Sequence, residues 1–204
     1  MIHCLGDISD DFGLYHDIIE CLVGALEAKD LYTRGHSMRV GDMSYQLAKE
    51  IGLKGEELEI IHIAAHLHDI GKIGIPDKIL NKKGKLTSSE WKAIKRHPEI
   101  GSNILKRSDK LRKISKLVLH HHERWDGKGY PSGLKEEDIP LGSRIIAICD
   151  SIDAMTSERS YRKGIPWNIC REEIESNKGS QFDPRLVEAA NELWKCWKNE
   201  FYSR

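Results

Sequence analysis

The sequence has no apolar run near the roughly 18 residues that a membrane-spanning helix needs. It has no basic excess either, with 32 Lys and Arg against 32 Asp and Glu. A protein that holds duplex DNA or an anionic membrane surface by charge needs such an excess, so neither partner is expected. The N-terminal stretch carries Asp7, Asp10 and Asp11 and lacks the basic-then-apolar order of a signal peptide. There is no CxxC pair. The five cysteines, Cys4, Cys21, Cys149, Cys170 and Cys196, are odd in number and far apart. They read as small buried apolar residues in a reducing, cytoplasmic compartment. Strand signals are nearly absent, and there is no internal repeat or low-complexity segment.

What is present is helical periodicity over most of 204 residues, a length that suits one domain with a substantial core. Ile18, Ile19, Leu22, Val23 and Leu26 recur at helical spacing. Val40, Met43, Leu47 and Ile51 do the same, with Gly52 placed as a C-cap. Leu58, Ile61, Ala65 and Leu67 form a third stripe that runs into His68. Thr87-Ser88-Ser89-Glu90 has the form of a capping box, and Pro98 suits a first helical turn. Lys110 to His122 predicts a helix with Leu111, Ile114, Leu117 and Val118 inward. Arg144 to Thr156 predicts another, with Ile145, Ile148, Cys149, Ile152 and Met155 inward. Pro166 and Pro184 look like helix starts, and Asp183 like a cap. Residues 1–17 are expected to be an N-terminal extension and 18–204 a single all-α domain. Two loops stand out, the basic turn Lys82-Lys83-Gly84-Lys85 and the long Gly- and Pro-rich stretch from Trp125 to Gly142.

Histidine is the residue whose distribution needs explaining. There are 10, and seven fall in three short stretches: His62, His66 and His68; His97; and His120, His121 and His122. By itself the dipeptide His68-Asp69 is also what a helix-terminal pair with ordinary hydrogen bonds looks like. Its surroundings argue for more. Lys72 follows Asp69 at i+3 on the same face. His36 heads a helix, His97 sits between two, and Asp150 lies on an otherwise apolar helix where a buried carboxylate needs a partner. Five imidazoles and two carboxylates on separate helices resemble a dinuclear site inside a helical bundle. His62 and His66 are an i, i+4 pair that can chelate zinc, yet they also read as partly buried residues near the site. His120 reads as a surface or supporting residue.

The motifs Tyr32-Thr33-Arg34-Gly35-His36-Ser37, Leu67-His68-Asp69-Ile70-Gly71-Lys72-Ile73-Gly74-Ile75-Pro76, His121-His122-Glu123-Arg124-Trp125-Asp126-Gly127-Lys128-Gly129-Tyr130-Pro131, Asp150-Ser151-Ile152-Asp153-Ala154-Met155-Thr156 and Gln181-Phe182-Asp183-Pro184 resemble those of the HD-GYP family, in that family's order. The resemblance covers roughly Ile18 to Leu193. It implies an HD-type multi-helix bundle with an internal dinuclear metal site, and hydrolysis of cyclic di-GMP to linear pGpG, GMP or both. It implies the ligands His36, His68, Asp69, His97, His121, His122 and Asp150, with Asp69 bridging. Two divalent ions are expected, Fe or Mn favoured. Tyr32 occupies the position where some members place a glutamate for a third ion, and Ser160 stands where a proline is usual.

The resemblance further implies a hydroxide between the two ions as nucleophile, with Asp69 and Lys72 as the catalytic residues. Lys72, Arg159, Arg162 and Tyr130 are expected to contact the cyclic dinucleotide. Gly129-Tyr130-Pro131 also suits a protein partner or simple loop rigidity. Glu123 is expected to orient a ligand histidine through its free ring nitrogen. Three alternatives stay open: a hydrolase of hybrid cyclic GMP-AMP, another nucleotide phosphohydrolase of the HD superfamily, and a non-catalytic receptor or scaffold.

Overall fold

Apolar residues at helical spacing anchor each element, and a computed structural model of the chain describes residues 8–30, 35–157 and 164–201. Helix α1 spans Ile8–Lys29 and buries Ile19, Val23 and Leu26. It starts ten residues before the expected Ile18, because Ile8–Asp17 contains no proline and nothing halts its outward growth. Ile18 and Leu22, members of the same apolar repeat, are exposed. Helix α2 (His36–Glu50) buries Val40, Met43 and Leu47. It ends in a Schellman motif, in which Gly52 N–H donates to Lys49 O and Leu53 N–H to Ala48 O. Helix α3 (Gly55–His66) follows, and a tight 3-10 turn over Ile70–Gly74 carries the chain out of His68-Asp69.

The short α4 (Asp77–Leu80) has no counterpart in the periodicity, being a single turn with no buried residue. Helix α5 (Ser88–Ile94) opens on the expected box: Thr87 Oγ1 accepts from Glu90 N–H, and Glu90 accepts from Thr87 N–H at 2.7 Å. Helix α6 (His97–Leu105) has Pro98 in its first turn. Helix α7 (Arg112–His120) is shorter than Lys110 to His122 at both ends, with a 3-10 turn before it and His121 as its C-cap. That early stop turns His121 and His122 off the helix face. Helix α8 (Leu141–Thr156) buries Ile145, Ile148, Cys149 and Ile152. Helix α9 (Trp167–Ser176) follows Pro166, and α10 (Pro184–Phe201) is capped by Asp183, whose Oδ1 accepts from Arg185 N–H at 3.0 Å. Among the described residues there is no strand, only an isolated bridge between Lys178 and Phe182.

The core lies where α2, α3 and α8 meet, lined by Val40, Met43, Leu47, Ala64, Ala65, Ile145, Ile148 and Ile152. Each large aliphatic side chain buried there contributes about 1.5–3 kcal/mol. Trp194 packs edge-on against Trp167, and Trp197 Nε1–H donates to Gln46 Oε1 at 2.8 Å, which joins α10 to α9 and α2. Cys149 and Cys170 are buried as expected. Cys21 and Cys196 are exposed, contrary to expectation, because they fall on the solvent sides of α1 and α10; Cys4 lies outside the described residues.

One close approach sets the position of α6. A Cβ at Gly71 would fall 1.9 Å from His97 O and 2.5 Å from Gly101 N. Only glycine lets the start of α6 close on the turn after Asp69, and this brings His97 to that carboxylate.

Candidate metal centre

The core helices aim their polar residues at one point. His36 starts α2, His68 and Asp69 follow α3, and Asp150 lies on α8. His36 Nε2 is 3.3 Å from His68 Nε2 and 3.3 Å from Asp150 Oδ1. Asp69 Oδ2 lies 3.8 Å from His36 Nε2 and 3.4 Å from His68 Nε2. Its other oxygen, Oδ1, is 3.3 Å from His97 Nε2, which is 3.3 Å from His121 Nε2. His97, His121 and His122 form a converging set of ligand atoms, and His36, His68 and Asp69 form another. All seven expected ligands are therefore brought together, and the two oxygens of Asp69 face different sets.

The far side of each ring decides what the near side offers. His68 Nδ1–H donates to Ala65 O at 2.6 Å, His97 Nδ1–H to Ile94 O at 2.8 Å, and His121 Nδ1–H to Val118 O at 2.6 Å. A carbonyl can only accept, so each of these rings carries its proton outside and, when neutral, presents a bare Nε2 lone pair inside. Burial pulls the pKa of His97 and His121 down, with neighbouring cationic groups adding to it. Both rings stay neutral, and two lone pairs then face each other at 3.3 Å with no proton between them. A cation satisfies that arrangement, and the nitrogen and oxygen donor set suits a divalent metal.

The other set is richer in anions. Burial opposes the charge of His36, but hydrogen bonds to Asp150 and Asp153 outweigh it and raise its pKa to about 9. Burial also opposes ionisation of Asp69, yet Lys72, His68 and His97 hold it well below the carboxylate range. Asp150 is lowered in the same way, against its burial, by His36 and His68.

Lys72 Nζ lies 2.6 Å from Asp69 Oδ2 and 3.2 Å from Asp30 Oδ2. These carboxylates overcome its burial and keep it an ammonium ion. Tyr130 stacks on His122, with ring centroids 4.8 Å apart, and Lys95 Nζ sits 5.2 Å from the Tyr130 centroid. Burial, with Asp150 and Asp69 adding, pushes the phenol pKa up, so Tyr130 keeps its proton beside the centre. The Trp125 to Gly142 stretch is less irregular than expected, holding a 3-10 turn at Glu136–Asp138 before α8 begins at Leu141. Trp125 and Asp126 donate backbone N–H groups to Gln181 O and Ser180 O, and Arg144 bonds Asp183 at 2.5 Å. The Gln181 to Pro184 motif thus props this loop.

Glu123 departs from its expected role. Its Oε1 accepts from Ser132 N–H at 2.7 Å and lies 3.5 Å from His120 Nδ1. It fastens the loop that carries Tyr130 and reaches no ligand ring, because the chain turns after His122 and points it away from the centre. Asp153 takes the place foreseen for Glu123. Its Oδ2 accepts from His36 Nδ1–H at 2.7 Å, and Arg39 Nε–H donates to its Oδ1 at 2.6 Å. Only its i+3 spacing from Asp150 hinted at this, and Asp30 beside Lys72 gave no signal at all. Arg159, Arg162 and Tyr32 lie outside the described residues.

A buried helical bundle with a His-Asp turn at its centre defines the class of protein. Residues 21–186 match the HD domain family, and the chain belongs to that family, with its HD-GYP resemblance intact. It is 45% identical over 88% of its length to a cyclic di-GMP phosphodiesterase of Thermotoga maritima, covering 49% of that protein. It is 42% identical over 87% of its length to 3'3'-cGAMP-specific phosphodiesterase 2 of Vibrio cholerae, covering 34% of it. The chain thus spans a third to a half of these relatives. Its fold matches the HD domain of the L. monocytogenes phosphodiesterase PgpH in complex with cyclic-di-AMP, with TM-score 0.64, 20% identity, and coverage of 90% of this chain and 98% of that one. Members of this family depend on divalent metal, and the histidine and aspartate groups described here fit one. No described helix is long and apolar enough to cross a membrane.

Proposed function

We propose that the chain is a metal-dependent phosphodiesterase that hydrolyses cyclic di-GMP to linear pGpG, GMP or both, with two divalent ions, Fe or Mn, as cofactors. The observation that carries this reading is Asp69, whose Oδ2 faces His36 and His68 while its Oδ1 faces His97. His36, His68, Asp69 and Asp150 would hold one ion, and Asp69, His97, His121 and His122 the other. Two such ions supply Lewis-acid charge to a phosphodiester and lower the pKa of a water.

The protein's own groups prepare the site for that chemistry. Asp153 fixes the His36 ring, and the carbonyls of Ala65, Ile94 and Val118 fix three others, so the ligands are ordered before substrate arrives. Lys72 keeps a positive charge beside Asp69, placed to attract a phosphodiester anion. Tyr130, stacked on His122, offers a phenol proton at the rim of the centre. Arg159 and Arg162 are proposed as further phosphate donors.

The test is anaerobic turnover of cyclic di-GMP by Fe(II)- or Mn(II)-loaded protein, with products separated by chromatography and Asp69→Ala alongside. Product from the native chain and none from the variant is expected. Two bound ions without product would refute the cyclic di-GMP reading. The relative at 42% identity that is named for 3'3'-cGAMP favours the hybrid nucleotide as the next substrate. Failure on both nucleotides would leave a receptor role.

A further inference from the structure

A second histidine cluster lies outside the centre, where α2 packs on α3. His62 and His66 sit one turn apart on α3, and their Nε2 atoms are 2.9 Å apart. Asp42 of α2 places Oδ1 3.6 Å from His62 Nε2, and all three ligand atoms lie within 4.8 Å of one another. Two nitrogens of a tetrahedral zinc site, at bond lengths of about 2.0–2.1 Å, stand roughly 3.3–3.4 Å apart. The separations of 2.9 Å and 3.6 Å lie on either side of that value.

The rings are held for such a role. A Cβ at Gly41 would come 2.3 Å from His66 Cε1 and 2.6 Å from each ring nitrogen, so the α2 backbone lies against the imidazole and fixes its plane. Tyr45 covers the other ring, with its centroid 5.1 Å from that of His62. His66 is buried, while His62 and Asp42 have side-chain exposures of 18% and 46%. The set is buried at its base and open to water at its mouth, as an exchangeable ion requires.

We propose that Asp42, His62 and His66 bind one late first-row divalent ion, zinc above all, with water completing its coordination. Two imidazoles and a carboxylate favour zinc, nickel or copper over manganese or iron by ligand type and by the ordinary order of divalent affinities. The ion staples α2 to α3 at positions two and six residues before His68 on α3 and six residues after His36 on α2. It therefore braces the two segments that carry the Asp150 side of the centre. This assignment is independent of the proposed phosphodiesterase reaction.

The test uses the full chain, native and with His62→Gln or Asp42→Asn, both at partly exposed positions that the core does not need. Each protein is equilibrated in buffered zinc, separated from loose metal by gel filtration, and analysed for zinc per chain. Native protein is expected to hold one zinc more than His62→Gln. Asp42→Asn, which replaces a carboxylate ligand by a neutral amide, is expected to bind zinc at that site about tenfold or more less tightly. Cobalt(II) should give the native chain an intense visible band of four-coordinate metal that His62→Gln lacks. Zinc should also raise the melting temperature of the native chain more than that of either variant. Equal zinc content in all three proteins, with equal cobalt spectra, would overturn the proposal and leave a hydrogen-bonded histidine pair.

Discussion

The His36 side of the centre has Asp150 at 3.3 Å and Asp153 behind the ring, besides its share of Asp69. The His97 side has three imidazoles, carbonyl acceptors behind two of them, and only the other oxygen of Asp69. The two sides therefore differ in their carboxylates, while each faces one oxygen of Asp69. Each carboxylate offsets part of the charge of a bound cation, so an ion among the three imidazoles keeps more of its own. On the proposed function, the carboxylate side is where metal is held most firmly, and Lys72, bonded to Asp69 Oδ2 on that side, supplies it with a fixed positive charge for the phosphodiester anion.

The comparison breaks most completely at the shared residue. Asp69→Ala should strip metal from both sides and reduce turnover about a thousandfold or more, since several kcal/mol of metal stabilisation are lost together. Asp150→Ala should remove metal from one side only. Metal analysis at limiting free Mn(II) separates the two outcomes. If both variants lost equal metal, the two sides would not be independent sites.

Gly71→Ala should damage the imidazole side without altering a ligand. The added Cβ meets the backbone of His97 and Gly101, which cannot rotate away. Forcing α6 outward should cost about 1–3 kcal/mol, read as a fall of several degrees in melting temperature, and should weaken metal at His97 before it does so at His36. Asp153→Asn works on the opposite side. Loss of an outer partner to a ligand histidine commonly lowers metal affinity 10–100-fold. The loss of metal should be confined to the His36 side, and melting in metal-free buffer should also fall, because Arg39 and His36 lose a buried carboxylate partner.

How much of this was legible in the sequence varies with the physics involved. Helices with a repeating apolar face could be read directly, because burial follows periodicity: Val40, Met43 and Leu47 are buried on α2, as are Ile145, Ile148 and Ile152 on α8. The caps at Thr87 and Asp183 and the first-turn Pro98 are equally legible, since helix-end chemistry is local. The seven expected ligands follow from motif resemblance, and the fold brings those residues close together. The outer partners were not legible. Asp153 bonds His36 across 117 positions and Asp30 meets Lys72 across a fold, and no local pattern encodes such contacts. Glu123 misled because adjacency to His122 in sequence is not adjacency in space once the chain turns. Cys21 and Cys196 misled because residue type sets only an average burial.

The smallest effect separates the two sides by a single proton. Without metal, His36 has its pKa raised to about 9, because its bonds to Asp150 and Asp153 outweigh burial. At pH 7.5 it is therefore protonated, and a metal that takes its Nε2 must expel that proton. His122 lies at the other extreme, lowered to about 3 by burial and by His97, and His97 and His121 are lowered too. These rings are already neutral at pH 7.5 and have no proton to release. Metal binding on the His36 side should thus release close to one proton, and its affinity should rise with pH until about 9 and then level off. Binding on the imidazole side should release none and be nearly flat above about pH 6.5. Calorimetric titration of Mn(II) in two buffers of different ionisation enthalpy measures the released protons, with Asp150→Ala and His122→Ala isolating one side each. Equal proton release in the two variants would mean that the electrostatic difference between the sides does not survive in solution.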